Sequence, residues 1–439
     1  MLMKRKLLTI CLVLCIGIGL LAGCGGSTGT PAQASSSSST TNDVTPTSND
    51  TIKIGCAYPL TGTAALTGVN IMRGYEFAFD EINKSGGILG RQVELIVADT
   101  QGDAKVGLSV AEKLITEDKI DLLLGCNNSG VSETVAQLAE KYQVPMISAI
   151  STADAITTHG YQWYFRFAPT NSSYLRSIVQ YLKDMGESED YPDTQVKTLA
   201  VVADSDLLGQ ETIKWAKYWA GEFGIEVVEA VSFNMGASDL TSEVLVLKNT
   251  PHDALIIDMS MADAILFTKT MAEQGYTPQL MVGKGGAFLD PAYIPAVPGI
   301  SNGVCVSVEW NTDMTRGKDI SARFKEMFGV DMNGHTAESF SVGWVVKTAY
   351  EAAGAVDKAA VRQALEDLDI VDQFPNGGPP IILPYDRIKF GNPNWQGVQH
   401  THTSEFAGVA IGQIQDGVMK TVWPFETTET KVQVPAPFK

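Results

Sequence analysis

The sequence predicts an α/β protein made of two successive doubly wound lobes, each with a mainly parallel sheet between layers of helices. Short apolar runs alternate with segments of helical periodicity from residue 51 onward, and the alternation restarts after residue 170. The short runs are apolar at every position. Strands with this composition are typical of parallel sheets that are covered on both faces.

The first series of elements occupies residues 51 to about 150. Its strands are predicted over residues 52–58, 93–98, 121–125 and 144–148. Between the first two strands, Val69, Met72 and Phe79 repeat with a helical period, and Gly86 follows as a stop signal. The order strand–helix–strand therefore recurs through this half of the chain.

The second series repeats the same order. Its strands are predicted over residues 198–203, 226–231, 254–258 and 280–283. Leu208, Thr212 and Trp215 form the stripe of a helix that ends near Gly224. Residues 316–368 are predicted to be mainly helical, and the remainder consists of short strands and Pro-rich loops.

The amino terminus indicates export. Three cations, Lys4 to Lys6, precede an apolar run of about 15 residues, which is shorter than the ~20 residues that span a bilayer. Small residues then lead to Cys24, as in a bacterial lipobox. We expect a signal peptide over residues 1–23 and a lipid on Cys24. The alternative is an ordinary signal peptide with an incidental cysteine.

The composition indicates a linker, limits the possible binding partners and leaves two states open for the cysteines. Residues 24–50 are rich in Ser and Thr and are expected to form a flexible linker. The formal net charge of −18 argues against nucleic acid and against lying flat on anionic lipid. Cys56 and Cys126 could form a bridge at two strand ends, or they and Cys305 could be buried free thiols.

Two loops follow neighbouring strands of the first series, where open parallel sheets bind their ligands. In the loop over residues 125–130, Ser129 could cap the next helix, whose free N–H groups would favour a carboxylate. The loop over residues 148–153 offers hydroxyls and backbone groups beside it. The alternative is that both loops are simple caps and turns.

Other polar motifs carry less weight. His400 and His402 with Glu405 could hold a metal, but a solvated strand face is the simpler interpretation. Asp206, close to Asp204, is better explained as a helix cap than as a cation ligand. The sequence shows no catalytic triad, phosphate loop or zinc spacing, so no enzyme activity, cofactor or metal is predicted.

A set of motifs, taken together, resembles the leucine/isoleucine/valine-binding protein family. They are Ile52-Lys53-Ile54-Gly55, Pro59-Leu60-Thr61-Gly62, Asp80-Glu81-Ile82-Asn83, Gly86-Gly87-Ile88, Gly90, Gly125 with Ser129, Val144-Pro145-Met146-Ile147-Ser148 and Phe165-Arg166. The resemblance implies an extracytoplasmic solute receptor that feeds an ABC importer. It also implies the type I periplasmic binding protein fold, in which a three-stranded hinge joins two lobes that close over the ligand.

The resemblance also suggests where the lobes begin and end. Lobe 1 is expected over residues 51–171 and 309–388, and lobe 2 over residues 172–308 and 389–439. A monomer is expected, because both lobes must face a membrane permease.

Site residues follow from the matching positions. The family's carboxylate site corresponds to Ser129 and the segment Ile150, Ser151 and Thr152. Leu66, Leu208 and Met261 stand where relatives often place aromatic or other ligand-packing side chains.

Lys284 is the clearest departure, because amino-acid-binding relatives carry a glutamate there that pairs with the ligand's ammonium. A lysine would repel an ammonium and favour a second anionic or carbonyl group, so zwitterionic leucine, isoleucine and valine are expected to bind poorly. The alternative is a lysine turned to solvent.

The expected function is capture of a small carboxylate-bearing solute, an amino acid or a related organic acid, and its delivery to an ABC permease. The expected location is the outer face of the cell membrane, held by the lipid. Two alternatives remain: a ligand sensor that signals to another protein, and a cell-surface amidohydrolase.

Overall fold

The computed structural model describes residues 51–434 apart from 291, 315, 372–380, 385–386, 396 and 426–427. The predicted signal peptide, Cys24 and linker lie outside the described residues. None of the helices within those described ranges is long and apolar enough to cross a membrane.

The strands form two large sheets and a small hairpin. They are β1 (Ile52–Tyr58), β2 (Val93–Asp99), β3 (Leu122–Gly125), β4 (Met146–Ser148), β5 (Tyr164–Arg166), β6 (Thr198–Asp204), β7 (Glu226–Phe233), β8 (Ala254–Asp258), β9 (Leu280–Gly283), β10 (Cys305–Val308), β11 (Asp369–Val371), β12 (Arg387–Gly391), β13 (Asn394–Trp395), β14 (Val398–Gln399), β15 (Thr403–Ser404), β16 (Ala410–Gln415) and β17 (Val418–Trp423).

Helices alternate with the strands through most of the chain. They are α1 (Ala65–Lys84), α2 (Ala104–Thr116), α3 (Ser129–Tyr142), α4 (Ala155–Thr158), α5 (Asn171–Glu187), α6 (Leu207–Glu222), α7 (Thr241–Asn249), α8 (Met261–Glu273), α9 (Tyr293–Ala296), α10 (Lys318–Phe328), α11 (Gly334–Ala353) and α12 (Lys358–Glu366). A short 3₁₀ helix covers Gly286–Leu289.

The two large sheets define the two lobes, as the fold class predicted. Lobe 1 contains the eight-stranded sheet, in the order β11-β12-β15-β5-β4-β3-β1-β2, and lobe 2 the seven-stranded sheet, in the order β17-β16-β10-β9-β8-β6-β7. The central pairs, such as β1 with β3 and β6 with β8, are parallel. Antiparallel pairs occur only toward one edge of each described sheet.

Both faces of each sheet are buried, which explains the continuously apolar strands. In β3, Leu122 and Leu124 pack into one core cluster, while Leu123 between them packs into the cluster on the other face. In β6, Val201 and Val202 divide in the same way. Successive side chains of a strand point to opposite faces, so a strand between two helical layers needs an apolar residue at every position.

The chain crosses between the lobes three times, and we call these crossings the hinge. They connect β5 to α5, β10 to α10, and β15 to β16. The last crossing differs from the expected boundary at residue 388. Strands β12 and β15 pair within the sheet of lobe 1, because they extend it beyond β5. The chain therefore returns to lobe 2 only after Ser404.

The cysteines among the described residues, Cys56, Cys126 and Cys305, are all free and buried. Burial raises the pKa of Cys126 and of Cys305 to about 12. The thiol forms are therefore retained at neutral pH, and the alternative of a bridge between Cys56 and Cys126 is excluded in this structure.

Candidate functional site

A cavity of about 130 Å³ lies between the lobes, at the carboxyl ends of the central strands. Lobe 1 lines it with Thr63, Ala64, Thr67, Asn127, Asn128, Ser129, Ile150 and Thr152. Lobe 2 lines it chiefly with Tyr174, Asp204, Asp206, Leu208, Met235, Asp258, Met261 and Lys284. Glu309, directly after β10, and His335, in the first turn of α11, complete the lining. This is the position at which open α/β sheets bind ligands.

The loop after β3 brings the amino terminus of α3 to the cavity. The residue that precedes the helix is Asn128, and Ser129 is its first residue. The sequence suggested that Ser129 caps the helix, but it does not. Its Oγ instead accepts a hydrogen bond from the Ala153 N–H at 3.3 Å. The first N–H groups of any α-helix lack partners within the helix, so this end of α3 favours an anion.

The loop after β4 is held against the first loop by Ser151. Its side chain is 1% exposed, does not line the cavity, and its Oγ lies 2.7 Å from the Cys126 carbonyl oxygen. Ile150 and Thr152, on either side, do line the cavity. Ser151 was expected to contact the ligand. The structure instead places it between the two loops, where it supports them.

The side chain of buried Arg166 holds the same loop in place through hydrogen bonds to its backbone. Its Nη1 donates to the carbonyl oxygens of Thr152 and Ala153, at 3.0 and 2.6 Å. A guanidinium that is engaged by two carbonyl groups holds the backbone in one position. The loop thus presents Thr152 to the cavity on a rigid base.

Leu66 does not line the cavity, contrary to expectation, and its side chain is 41% exposed. Thr63 and Thr67, on either side of it in the chain, do line the cavity. Leu66 and Thr67 are adjacent in α1, and adjacent helix residues do not share a face, so Leu66 points away from the side that carries Thr67. The motif located the correct helix end, but not the side of it that faces the cavity.

The apolar part of the lining comes mainly from lobe 2. Leu208 and Met261 line the cavity, and Met235 joins them. Leu208 is held at the start of α6, where Asp206 Oδ1 accepts the Gly209 N–H at 2.8 Å, which confirms the predicted cap. Methionine side chains adapt to irregular ligand shapes.

Lys284 is buried, with 5% exposure, so the alternative of a solvent-facing lysine is wrong. Its Nζ lies 3.3 Å from Asp258 Oδ2 and 5.3 Å from the centre of the Tyr174 ring. Strand β9 ends one residue earlier, and Gly285 and Gly286 follow with φ of +45° and +49°. A residue with a side chain is strained at such positive φ values, so the glycines permit the turn.

Burial makes the cavity less negatively charged at neutral pH than the number of its acidic side chains suggests. Burial, followed by the charges of Asp206 and Asp258, raises the pKa of Asp204 to about 9. Burial also raises the pKa of Glu309 to about 8, and burial with the charge of Lys284 lowers the pKa of His335 to about 4. At neutral pH the first two groups therefore carry protons and the imidazole is uncharged.

Sequence reasoning missed Asp258, Glu309 and His335. Asp258 ends the apolar run of β8, the same signal that identified the loops of lobe 1. His335 and Glu338 stand three positions apart within the segment that was predicted to be mainly helical, a spacing that places them on one helix face. Glu309 directly follows the mostly apolar residues 304–308, which the sequence analysis did not predict as a strand.

The histidines considered for a metal are part of the core of lobe 1. The sequence analysis preferred a solvated strand face for these residues. That interpretation is wrong, because His400 and His402 are each 1% exposed. His400 Nδ1 lies 2.9 Å from Thr157 Oγ1, and the His402 ring stacks on Phe165 with centroids 4.4 Å apart.

Polar contacts also connect the lobes outside the cavity, and two of them involve helices α1 and α6. Asn70 Nδ2 in α1 donates to Asp290 Oδ2 at 3.1 Å. The Glu211 carboxylate in α6 accepts the N–H groups of Asp154 and Ala155, at 2.6 and 2.9 Å. Both contacts join the two lobes, so we expect them to favour the arrangement in which the lobes lie close together.

Comparison with known proteins relates this architecture to solute receptors. A family model described as periplasmic binding protein matches residues 51–399. The Leu/Ile/Val-binding protein homolog 7 of Brucella suis biovar 1 is 27% identical over 394 residues, covering 88% of this chain and 94% of the relative.

Solved structures share the fold. The branched-chain amino acid transporter substrate binding protein LivJ of Streptococcus pneumoniae, in complex with isoleucine, has a TM-score of 0.70 and 20% identity, over 88% of this chain and 100% of LivJ. A solute binding protein of an ABC transporter from R. palustris, in complex with benzoate, has a TM-score of 0.69 and 18% identity, over 85% of this chain and 95% of that protein.

Proposed function

The chain belongs to the periplasmic binding protein family, and we propose that it captures a small carboxylate-bearing solute and delivers it to an ABC importer. The proposed solute is an amino acid or a related organic acid. The family is one of extracytoplasmic substrate-binding proteins of transporters, not of enzymes.

One observation carries the proposal. The amino terminus of α3 and the hydroxyl-bearing residues Ser129 and Thr152 meet at one wall of the cavity, on loops that buried groups hold in place. That wall has helix N–H groups and hydroxyls but no charged side chain. Such a surface suits a carboxylate, which accepts several hydrogen bonds at once.

The opposite wall allows two kinds of solute. LivJ from Streptococcus pneumoniae binds isoleucine, which has an ammonium, whereas the R. palustris protein binds benzoate, which has none. The expectation that zwitterions bind poorly assumed that Lys284 acts as an uncompensated cation. Because Lys284 pairs with Asp258 and Asp204 lies in the same cavity, an ammonium also has acidic groups available.

A ligand panel tests this proposal. Leucine, isoleucine, benzoate and 3,4-dihydroxybenzoate would be added to the purified chain in a thermal-shift assay and then titrated by calorimetry. A ligand at about 100 times its Kd stabilises the protein by roughly 2.7 kcal/mol, which shifts the melting midpoint measurably. Absence of stabilisation by every small carboxylate in a broad library would contradict the proposal.

The anchor is a separate part of the proposal. If Cys24 carries a lipid, the Cys24→Ala variant is released from the membrane fraction, while the parent chain stays there after a salt wash. Retention of the variant in the membrane would contradict lipid anchoring, without bearing on the solute site.

A further inference from the structure

We propose that Glu309, His335 and Glu338 form a binding site for one divalent transition-metal ion of the Zn²⁺ type, at the edge of the cavity. One ligand atom from each of these residues lies within 4.8 Å of the other two. The three residues are 1%, 5% and 1% exposed. A metal ion would draw such atoms together, since its bonds to nitrogen and oxygen are about 2.0–2.2 Å long.

The chain supplies these groups from two elements. His335 and Glu338 are three residues apart in the first two turns of α11, so they share one face of the helix. Glu309 comes from the second crossing of the hinge, directly after β10. A bound ion would therefore tie the hinge to a helix of lobe 1.

The two carboxylates indicate a missing partner. Glu309 Oε2 and both carboxylate oxygens of Glu338 are fully buried, and no hydrogen-bond partner reaches them among the described residues. Lys284, the lysine of the cavity lining, is paired with Asp258. Buried carboxyl oxygens without hydrogen-bond partners are costly even when the group carries a proton, so three such oxygens in one place point to a ligand that supplies the missing partners.

Local packing preserves room for the carboxylate. A side chain at Gly334 would place its Cβ 2.2 Å from Glu309 Oε2. The glycine therefore lets α11 begin directly against this carboxyl group. The absence of a side chain at Gly334 therefore leaves space for the Glu309 carboxyl group at the start of α11, the helix that carries His335 and Glu338.

The donor set selects the class of ion. One imidazole nitrogen and two carboxylates suit Zn²⁺ and Mn²⁺, whereas Ca²⁺ and Mg²⁺ prefer oxygen alone. Three protein ligands leave a fourth position for water or another small ligand. An ammonium group bound in place of the metal would pair with the two carboxylates but would leave the nitrogen of His335 without a bond.

The test titrates Zn²⁺ into the full chain after treatment with EDTA and dialysis. We expect one saturable Zn²⁺ per chain by calorimetry, and at least tenfold weaker binding in His335→Gln and in Glu338→Gln. His159→Gln is the matched control, because His159 forms an exposed pair with Glu133, 2.8 Å away. This variant should bind Zn²⁺ like the parent chain.

Each other result overturns the proposal. These results are no saturable Zn²⁺ binding by the parent chain, binding by either site variant as tight as that of the parent chain, and loss of binding in His159→Gln. Co²⁺ provides a second readout that does not depend on the variants, since its visible spectrum reports its ligands. A spectrum without imidazole and carboxylate ligation would contradict the site. Solute binding is measured separately with EDTA present, so failure here leaves the proposed solute function unaffected.

Discussion

The two walls of the cavity differ in chemistry. The part of the lobe 1 wall that follows β1, β3 and β4 consists of hydroxyls, amides, apolar groups and the amino terminus of α3, and it has no ionisable side chain. The wall of lobe 2 carries Asp204, Asp206, Asp258 and Lys284 beside its apolar residues. The backbone loops of lobe 1 can recognise a carboxylate that all candidate solutes share, whereas the side chains of lobe 2 can distinguish one solute from another.

This contrast has a consequence for stability. Hydroxyls and N–H groups lose little when a ligand is absent, because water can replace the ligand. Buried charges must be compensated by the protein itself, and Asp258 does so for Lys284 with the help of Thr212, whose Oγ1 donates to Asp258 Oδ2. We therefore expect substitutions in lobe 2 to affect both folding and binding, and those in lobe 1 to affect mainly binding.

The largest effect is expected for Asp258→Asn. Removing this carboxylate leaves the ammonium of Lys284 buried without its partner, which typically costs about 3–5 kcal/mol of the free energy of unfolding. Denaturant unfolding measures the loss. The double variant Lys284→Met, Asp258→Asn is the control and should recover most of it. A single variant as stable as the parent would show that the pair is not needed in lobe 2.

The next effect concerns pH. Asp204, whose pKa is raised to about 9 by burial, must lose its proton to pair with an ammonium. The affinity for an α-amino acid should therefore rise from pH 7 to pH 9, by roughly tenfold per pH unit at most, with proton release on binding. Benzoate-type acids should show no such rise.

Calorimetry in buffers of different ionisation enthalpy measures this proton release. The Asp204→Asn variant should bind without it, since the amide cannot titrate. Proton release that persists in this variant would assign the pH dependence to another group and would weaken the distinction between the two walls.

In lobe 1, Thr152→Val keeps the shape of the side chain and removes its hydroxyl. A hydrogen bond to a charged group contributes about 1.5–3 kcal/mol, so binding should weaken by roughly ten- to a hundredfold with little change in unfolding. Thr158→Val, at an exposed position nearby, is the control. Unchanged affinity at position 152 would remove this residue from the carboxylate site.

The smallest effect is expected for the contact between the lobes. Glu211→Gln retains one acceptor for the N–H groups of Asp154 and Ala155 and loses the charge, so affinity should fall only a few-fold, by about 1 kcal/mol. Glu222→Gln, at an exposed position of the same helix, should have no effect. Equal affinity in both variants would show that this contact does not stabilise the closed form.

The central strands could be predicted because burial on both faces produces a continuous apolar signal. Strands β12 and β15 could not be assigned to lobe 1, because they are short strands close to one edge of the sheet and β12 carries Arg387 and Lys389. Such a short strand is defined by the strand it pairs with, and the pairing of Phe390 with Ser404 is not visible in either segment alone.

The site shows the same limit. Thr152 lines the cavity, and its loop could be proposed from the sequence because it follows a buried strand, a local signal. The partner of Lys284 was missed, since Asp258 belongs to another strand and only the tertiary structure brings the two charges together. Leu66 was placed wrongly because a motif locates a helix end without defining which side chain faces the cavity.

The central claim, that lobe 1 recognises the carboxylate of the solute, is tested most directly by comparing an acid with its own amide. Calorimetric titrations would pair leucine with leucinamide and benzoate with benzamide, at one pH and one salt concentration. The amide keeps the shape and removes the negative charge that the end of α3 should attract. We predict binding of at least one acid and a loss of at least tenfold in affinity for its amide. An amide that binds as tightly as its acid would contradict the account.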